Sequence, residues 1–393
     1  MKLIYVGYAI DKNLCDSQIG ASVAGNNMQL GILDELIDKK DIDLDVITVY
    51  PTASYPTVRD IVFRKEYIKV TDKVRSTLIG FINIPFLKEI TQAISILTST
   101  KKILNENDNV KILTFNARPS ISIPLLILKK IYKFEIICLL ADPPVDIQER
   151  FGLKKIIMNI FWNIIRKSIL YYDKIIALNK EAINIYAPKK PYLIVDGGIS
   201  INESDYIDLN SEYEKDKKII LFTGALTEYN GIIEMIEAMD LISDEMIELH
   251  IYGSGPLEEY VRKKSQLMSN VIYKGVVSNK KIKIIQREAT LLINPRRTND
   301  LISKVTFPSK MIEYMLSGTP VLSTKLNGLS DEYLEHIYLI NSLEPLELAK
   351  TIKDVLEYDS SDRYIKQENA RLFILNNKTW NVQVNKIYNF INI

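Results

Sequence analysis

Apolar runs of strand length, rich in Ile and Val, recur along this chain, and amphipathic segments of helix length separate them. No other feature constrains the fold so tightly. Continuous β-branched runs joined through helices make parallel strands buried on both faces. In the first half the runs lie at 3–8, 45–50, 110–115, 135–140, 174–178 and 192–195. Between them, Ile32, Leu33, Leu36 and Ile37 share one helical face, and 121–131 and 154–171 show the same period.

An acid-rich stretch at 202–218, with Glu203, Asp205, Asp208, Glu212, Glu214 and Asp216, interrupts the pattern. The alternation restarts with runs at 219–223, 248–252, 271–273, 290–293, 320–323 and 337–340. Helical patterns lie between them near 230–241, 256–268, 279–288, 310–317 and 345–357. A length of 393 residues is too long for one ordinary core. The expected architecture is therefore α/β, with two Rossmann-like, doubly wound domains facing across a cleft. They span 1–205 and 217–375, with a linker at 206–216 and a final helix at 376–393 bearing Trp380, Val384, Ile387 and Phe390 near one side. Open α/β sheets bind ligands at the carboxyl ends of their strands, so the loops after strands are where chemistry is sought.

Composition narrows the function. The formal net charge of +1 argues against a nucleic-acid binder. His250 and His336 are the only histidines, and His250 alternates with apolar neighbours as a core residue does, so His-based catalysis and His-rich metal sites are not expected. Two distant cysteines, Cys15 and Cys138, allow one bridge at most. With an apolar N-terminal run too short for an export signal, they fit a reducing cytoplasm. No stretch of about 20 uncharged apolar residues occurs, so no membrane span is expected. Helix 154–171 combines Lys154, Lys155, Arg166 and Lys167 with Phe161 and Trp162. It suits either a core-facing helix with a solvated basic face or contact with an anionic membrane surface.

The segment 307–320 carries the strongest local signal. Ser309 suits a helix N-cap, Gly318 the left-handed position past the helix end, and Pro320 a stop. The start of such a helix offers backbone N–H groups and partial positive charge to a phosphate, and Lys310 adds a full charge. Glu313, one turn in, has two acceptor oxygens suited to the paired hydroxyls of a ribose. Arg296 and Arg297 follow the run at 290–293 and suit either a diphosphate grip or a solvated basic loop. Gly253–Gly255 reads as a tight strand-to-helix turn, and Gly224 and Gly275 as similar turns after strands that also let a ligand approach the backbone. In the first half, Gly20, Ala21, Ser22, Gly25 and Asn26 form a small-residue loop after the first run. Asp142, before two prolines, suits either a sugar hydroxyl or a turn.

With these residues in view, the chain resembles the two-Rossmann-domain (GT-B) glycosyltransferases, and is similar to the large retaining group called family 4, especially bacterial polysaccharide-assembly members. The resemblance covers most of the chain and is carried by 219–333: Phe222 to Leu226, Asn230-Gly231, Ile251 to Pro256, Tyr273 to Val276, Asn294 to Arg296, 307–320 and Asn327-Gly328. It implies that the final helix crosses back to the N-terminal domain, and that Glu313 binds the donor ribose. By the same resemblance Gly275, Val276 and Val277 hold the base, the Gly20–Gly25 loop meets diphosphate and acceptor, and Asp142 lies near the donor sugar. Many members carry an acidic residue eight positions before that glutamate, where this chain has Val305. Ala225 and Asn230 replace a usual Arg and Lys. Lys310 with Arg296 or Arg297 would then supply phosphate charge, and backbone at Val305–Ser309, including Phe307 and Pro308, the sugar contacts.

The activity implied is transfer of a hexose-type sugar from a nucleotide-diphosphate donor to a glycan or lipid-linked acceptor, with retention and without metal or bound cofactor. A nucleotide-sugar 2-epimerase and a non-catalytic GT-B-like partner are the alternatives.

Overall fold

The computed structural model describes residues 1–145, 152–201, 217–299, 301–358 and 360–393. The chain divides into two compact units, Met1–Gly198 with Trp380–Ile393, and Ile199–Thr379. The expected linker at 206–216 lies outside the described residues.

In unit 1 the strands are β1 (Lys2–Gly7), β2 (Asp43–Thr48), β3 (Val62–Phe63), β4 (Glu66–Lys69), β5 (Arg75–Leu78), β6 (Phe81–Ile82), β7 (Val110–Phe115), β8 (Glu135–Leu140), β9 (Lys174–Ala177) and β10 (Tyr192–Ile194). Eight form one sheet in the order β10-β9-β8-β7-β1-β2-β5-β4, parallel except for β4, which runs antiparallel to β5. The short β3 and β6 pair separately. From β1 the chain steps one way to β2, and from β7 the other way through β8 and β9 to β10. Right-handed crossovers then put their helices on opposite faces, and the order reverses between β1 and β7. Helices Val23–Leu36 and Trp380–Asn392 pack together on one face, their Ile32, Leu33, Leu36, Val384, Ile387 and Ile391 joining Leu3, Tyr5 and Leu113 in one core. Trp380 fits because Gly31 and Gly198 lack side chains: a Cβ would stand 2.2 Å from its ring at Gly31 and 2.5 Å at Gly198. Cys15 and Cys138 are both buried free thiols.

Unit 2 contains β11 (Lys218–Thr223), β12 (Ile247–Tyr252), β13 (Val271–Gly275), β14 (Leu291–Asn294), β15 (Val321–Thr324) and β16 (Tyr338–Ile340). They form one parallel sheet in the order β13-β12-β11-β14-β15-β16. This is the Rossmann order, with its reversal between β11 and β14. Ile220, Phe222, Leu249, Ile251, Leu291 and Ile293 form the centre of the core with Ile232, Met235 and Ile236 from helix Ile232–Asp240. Among the described residues, no helix is long and apolar enough to cross a membrane.

Two expected elements shift. The helix expected from 26 begins at Val23, because the Ser22 side chain accepts from the Gly25 N–H and caps it. Gly25 and Asn26 therefore lie in its first turn and not in a loop. The final helix begins at Trp380, and 376–379 stay with unit 2.

Candidate active site

Both sheets open their carboxyl ends at the reversal point, and the sequence-selected residues divide between the two places. In unit 2, β11 ends at Thr223-Gly224 and β14 at Asn294, followed by Pro295 and Arg296. Helix Lys310–Leu316 lies against them, anchored by Tyr314, whose hydroxyl accepts from the Thr223 N–H at 2.9 Å. That anchor sets Lys310 at the switch point. Its Nζ lies 4.3 Å from the centre of the Phe222 ring and has no hydrogen-bond partner, although it is sealed from solvent. Gly224 leaves room in front of it, since a Cβ there would stand 3.6 Å from Nζ. Burial, with Arg296 as a like charge, lowers the Lys310 pKa to about 7. An ammonium held this way is stabilised by any anion that reaches it.

Arg296 is buried beside this group. It donates to Ser303 Oγ at 3.3 Å and Thr306 Oγ1 at 2.9 Å, and stacks over Tyr229. Arg297 turns elsewhere. Its Nε is 2.7 Å from Glu234 and its Nη1 3.5 Å from Glu228, and it lines a different cavity with Thr298, Asn299 and Lys325. The two arginines are thus not brought together as a clamp, because neighbouring residues on an extended loop point apart.

The helix start also departs from expectation. Ser309 has φ −52° and ψ −29°, so its backbone is already helical, and its side chain caps nothing. The Met311 and Ile312 amides donate to the Pro308 and Ser309 carbonyls, leaving fewer N–H groups for a ligand. The charge here comes from the Lys310 side chain. Phe307 and Pro308 are buried, with the Phe307 ring against Tyr333, and serve packing. Val305 is fully buried, so no sugar contact comes from its side chain. Asn230 is also buried and donates to the Ala225 carbonyl at 2.7 Å, fixing the loop after β11. Gly318 takes φ +75°, as expected past a helix end.

Glu313 is partly exposed and lines a small hollow with Lys283, Gln286 and Arg287 of helix Asn279–Glu288. That helix directly follows Gly275, Val276 and Val277. Gly275 has φ +73° with open space around it, and Val276 is exposed.

In unit 1 a cavity of about 390 Å³ lies at the β1/β7 reversal. Gly20, Ala21, Ser22, Gly25, Asn26 and Asp142 all line it, although they come from distant segments. Asn26 is nevertheless committed to structure. Its side chain accepts from the Ile10 N–H at 3.0 Å and donates to the Ile10 carbonyl at 2.9 Å. Asp142 accepts from Asn116 Nδ2 at 2.9 Å, while Asn116 Oδ1 accepts from the Asp142 N–H. Desolvation raises the Asp142 pKa above the usual carboxylate value. Tyr8, Lys88, Asn116, Arg118 and Trp162 also line it, and the sequence does not mark them as site residues. Arg118 is 2.9 Å from Glu89, and burial lowers the Lys88 pKa to about 8. Their one sequence signal is position, since Asn116 to Arg118 directly follow β7. Among the described residues, no three His, Cys, Asp or Glu side chains gather as a metal site needs.

Sheet order and switch points together define a fold of two Rossmann-like domains, the GT-B type. The structure matches sucrose-phosphate synthase from Thermosynechococcus elongatus with a TM-score of 0.68 at 15% identity, covering 100% of this chain and 98% of that one. An α,α-trehalose-phosphate synthase (UDP-forming) from Burkholderia vietnamiensis matches at 0.67 and 10% identity over 100% of both chains. The Anabaena protein HepE in complex with UDP matches at 0.63 and 15% identity, also over 100% of both. Within this architecture, unit 2 carries the more particular likeness: residues 217–358 match the family described as Glycosyl transferases group 1. An uncharacterized glycosyltransferase of Methanocaldococcus jannaschii is 27% identical over 177 residues, 41% of this chain and 43% of that protein. The Bacillus subtilis glycosyltransferase TuaC, named for teichuronic acid biosynthesis, is 23% identical over 144 residues, 37% of this chain and 33% of it. The matched region thus spans less than half the length of either relative.

Proposed function

We propose that this chain is a glycosyltransferase that moves a hexose-type sugar from a nucleotide-diphosphate donor held by unit 2 to a glycan or lipid-linked acceptor, with retention, in bacterial cell-surface polysaccharide synthesis in the cytoplasm. The observation that carries this reading is the buried, unpartnered Lys310 ammonium at the β11/β14 switch point, inside the segment that matches group 1 glycosyl transferases. Cleavage of the bond from the anomeric carbon to the diphosphate leaves negative charge on the departing oxygen. Lys310, with Arg296 behind it, would stabilise that charge in a site of low dielectric. Glu313 would take the ribose hydroxyls, with Gly275 to Val277 beside the base. The retained configuration fits transfer of the acceptor proton to the leaving phosphate on the same face, which needs no histidine base.

The unit 1 cavity, with Asp142, Lys88 and Arg118, would receive the acceptor. Because protein groups would carry the charge, turnover should stay within about twofold after chelation, where metal-assisted transfer would collapse. The direct test is a thermal-shift panel of UDP-, GDP-, dTDP- and CMP-sugars, followed by transfer assays with the stabilising donor. Lys310→Ala and Glu313→Ala should each lose at least about tenfold in turnover or donor affinity, about 1.4 kcal/mol. Wild-type behaviour in both variants rejects the site. Donor binding without transfer to any acceptor supports a non-catalytic partner, and epimerised donor supports a 2-epimerase.

A further inference from the structure

Three neighbouring helices of unit 1 each turn a row of isoleucines outward. Helix Leu87–Glu106 buries Ile96 and Leu104 but exposes Leu87, Ile90 and Ile94. Helix Pro119–Lys129 buries Ile121, Leu125 and Leu128, while Ile123, Ile127 and the following Ile131 stand in solvent. Helix Gly152–Ile169 buries Ile165 and Ile169 and exposes Ile156, Ile160 and Ile164. The isoleucines in each row recur every four residues, so each row runs down one helical face. Their exposures run from 36% at Ile164 to 71% at Ile131. The first helix packs on the second and the second on the third. The rows therefore lie side by side as a single apolar face, larger in kind than scattered surface leucines.

The charge that these helices carry selects the occupant. Lys101, Lys102, Lys130, Lys133, Lys155, Arg166 and Lys167 are all exposed on these helices or just past their ends. No acidic residue occurs from 119 to 133 or from 152 to 172. Glu89 is held by Arg118 and Asp173 by Lys129, which leaves Glu106 and Asp108, at the far end of the first helix, as the exposed acids among the described residues here, against seven exposed cations. Lysine is depleted at protein–protein interfaces, whereas lysines flanking apolar side chains reach lipid headgroups while their stems lie in the acyl boundary. Exposed Phe86 and Tyr171, at opposite ends of the set, suit the same boundary.

We propose that this three-helix face docks on an anionic lipid bilayer. Apolar rows and cations act together there, since neither alone gives stable binding. Helix Gly152–Ile169 faces both ways: Met158, Phe161, Trp162 and Ile165 line the unit 1 cavity, while Ile156, Ile160 and Ile164 face out. Docking would bring the cavity wall to the bilayer. The inference does not rest on sugar transfer, because its readout needs no nucleotide.

The test is co-sedimentation of the full chain with vesicles of phosphatidylcholine alone or with phosphatidylglycerol added. Binding is expected only with the anionic lipid, and should weaken at least about tenfold as salt rises from about 0.1 M to 1 M. Ile94→Asn/Ile127→Asn/Ile160→Asn should abolish it with an unchanged melting curve, since all three side chains are exposed. A second variant, Lys130→Glu/Lys155→Glu/Lys167→Glu, should abolish it without touching the apolar rows. Failure of the wild-type chain to bind, or wild-type binding by either triple variant, overturns the proposal. So does a wild-type dimer that becomes monomeric on the isoleucine changes and ignores vesicles, which would assign the face to a second copy of the chain.

Discussion

A lysine ammonium sealed against a phenyl ring with no partner destabilises the empty protein, and that cost can be measured. Burial holds the Lys310 pKa near 7, well below its unfolded value. Between about pH 7 and 10.5 the unfolded chain binds the extra proton, so stability should rise with pH across that window. Lys310→Met should flatten the rise and stabilise the empty protein by about 1–2 kcal/mol near neutral pH, read from denaturant midpoints. The same substitution should remove nucleotide binding. In the wild-type chain a diphosphate needs the protonated form. Its affinity should therefore fall as pH rises from about 7.5 to 8.5, where the nucleotide phosphates are already ionised and the base is still neutral, and proton uptake should accompany binding in calorimetry. A pH-independent affinity would remove Lys310 from the site. Lys310 and Glu313 stand out together in the sequence because one continuous segment carries both; the structure sets the Lys310 ammonium beside Phe222 and Glu313 in a small hollow with Lys283 and Arg287. Arg297 and Ser309 were misread: residue type suggested a clamp and a cap, but local pairing with Glu234 and a helical backbone decided otherwise. Tyr8, Lys88 and Arg118 give no local signal, since only topology assembles them from three separate segments, a loop after β1, the start of helix Leu87–Glu106 and the loop after β7.

At the scale of elements, the parallel strands were readable because burial on both faces forces continuous apolar sequence. The short strands β3 to β6 were not. They are only two to four residues long, and β4 lies largely exposed, with Tyr67 at 81%, so none makes a continuous apolar run of strand length. Helices Leu87–Glu106 and Ser360–Asn377 escaped notice for a related reason. The first mixes exposed isoleucine with buried Gln92 and Thr100, and the second is mostly polar, so neither presents a simple apolar stripe. Helix Val23–Leu36 supplies a test of how elements fit. A mid-helix glycine replaced by alanine ordinarily gains roughly 0.5–1 kcal/mol. At Gly31 the added carbon would meet the Trp380 ring at 2.2 Å. Overpacking costs roughly 1–3 kcal/mol, so the sign should reverse. Gly31→Ala should lower the urea midpoint and shift Trp380 fluorescence. A stabilised variant would mean that the tryptophan does not sit there.

For the molecule as a whole, the chain order and the folded units disagree. Unit 1 is closed by its last fourteen residues, Trp380–Ile393, after the whole of unit 2 has been made. That segment buries Trp380, Val384, Ile387 and Ile391 in the unit 1 core. Each such side chain is worth roughly 1.5–3 kcal/mol, and the sum is comparable with the entire stability of a domain, about 5–15 kcal/mol. Unit 1 thus lacks a large part of its core until 380–393 have been made, whereas the Rossmann sheet of unit 2 is complete by residue 340. The fragment 217–379 should therefore fold alone and give a cooperative melt. The fragment 1–198 should be marginal, exposing apolar surface to a hydrophobic dye, and a peptide spanning 380–393 added in trans should restore its cooperativity. A fully stable fragment 1–198 would show that the final helix decorates unit 1 without completing it. Cleavage between the units would then leave the N-terminal sheet intact, and the return of the chain would need another reason than core completion.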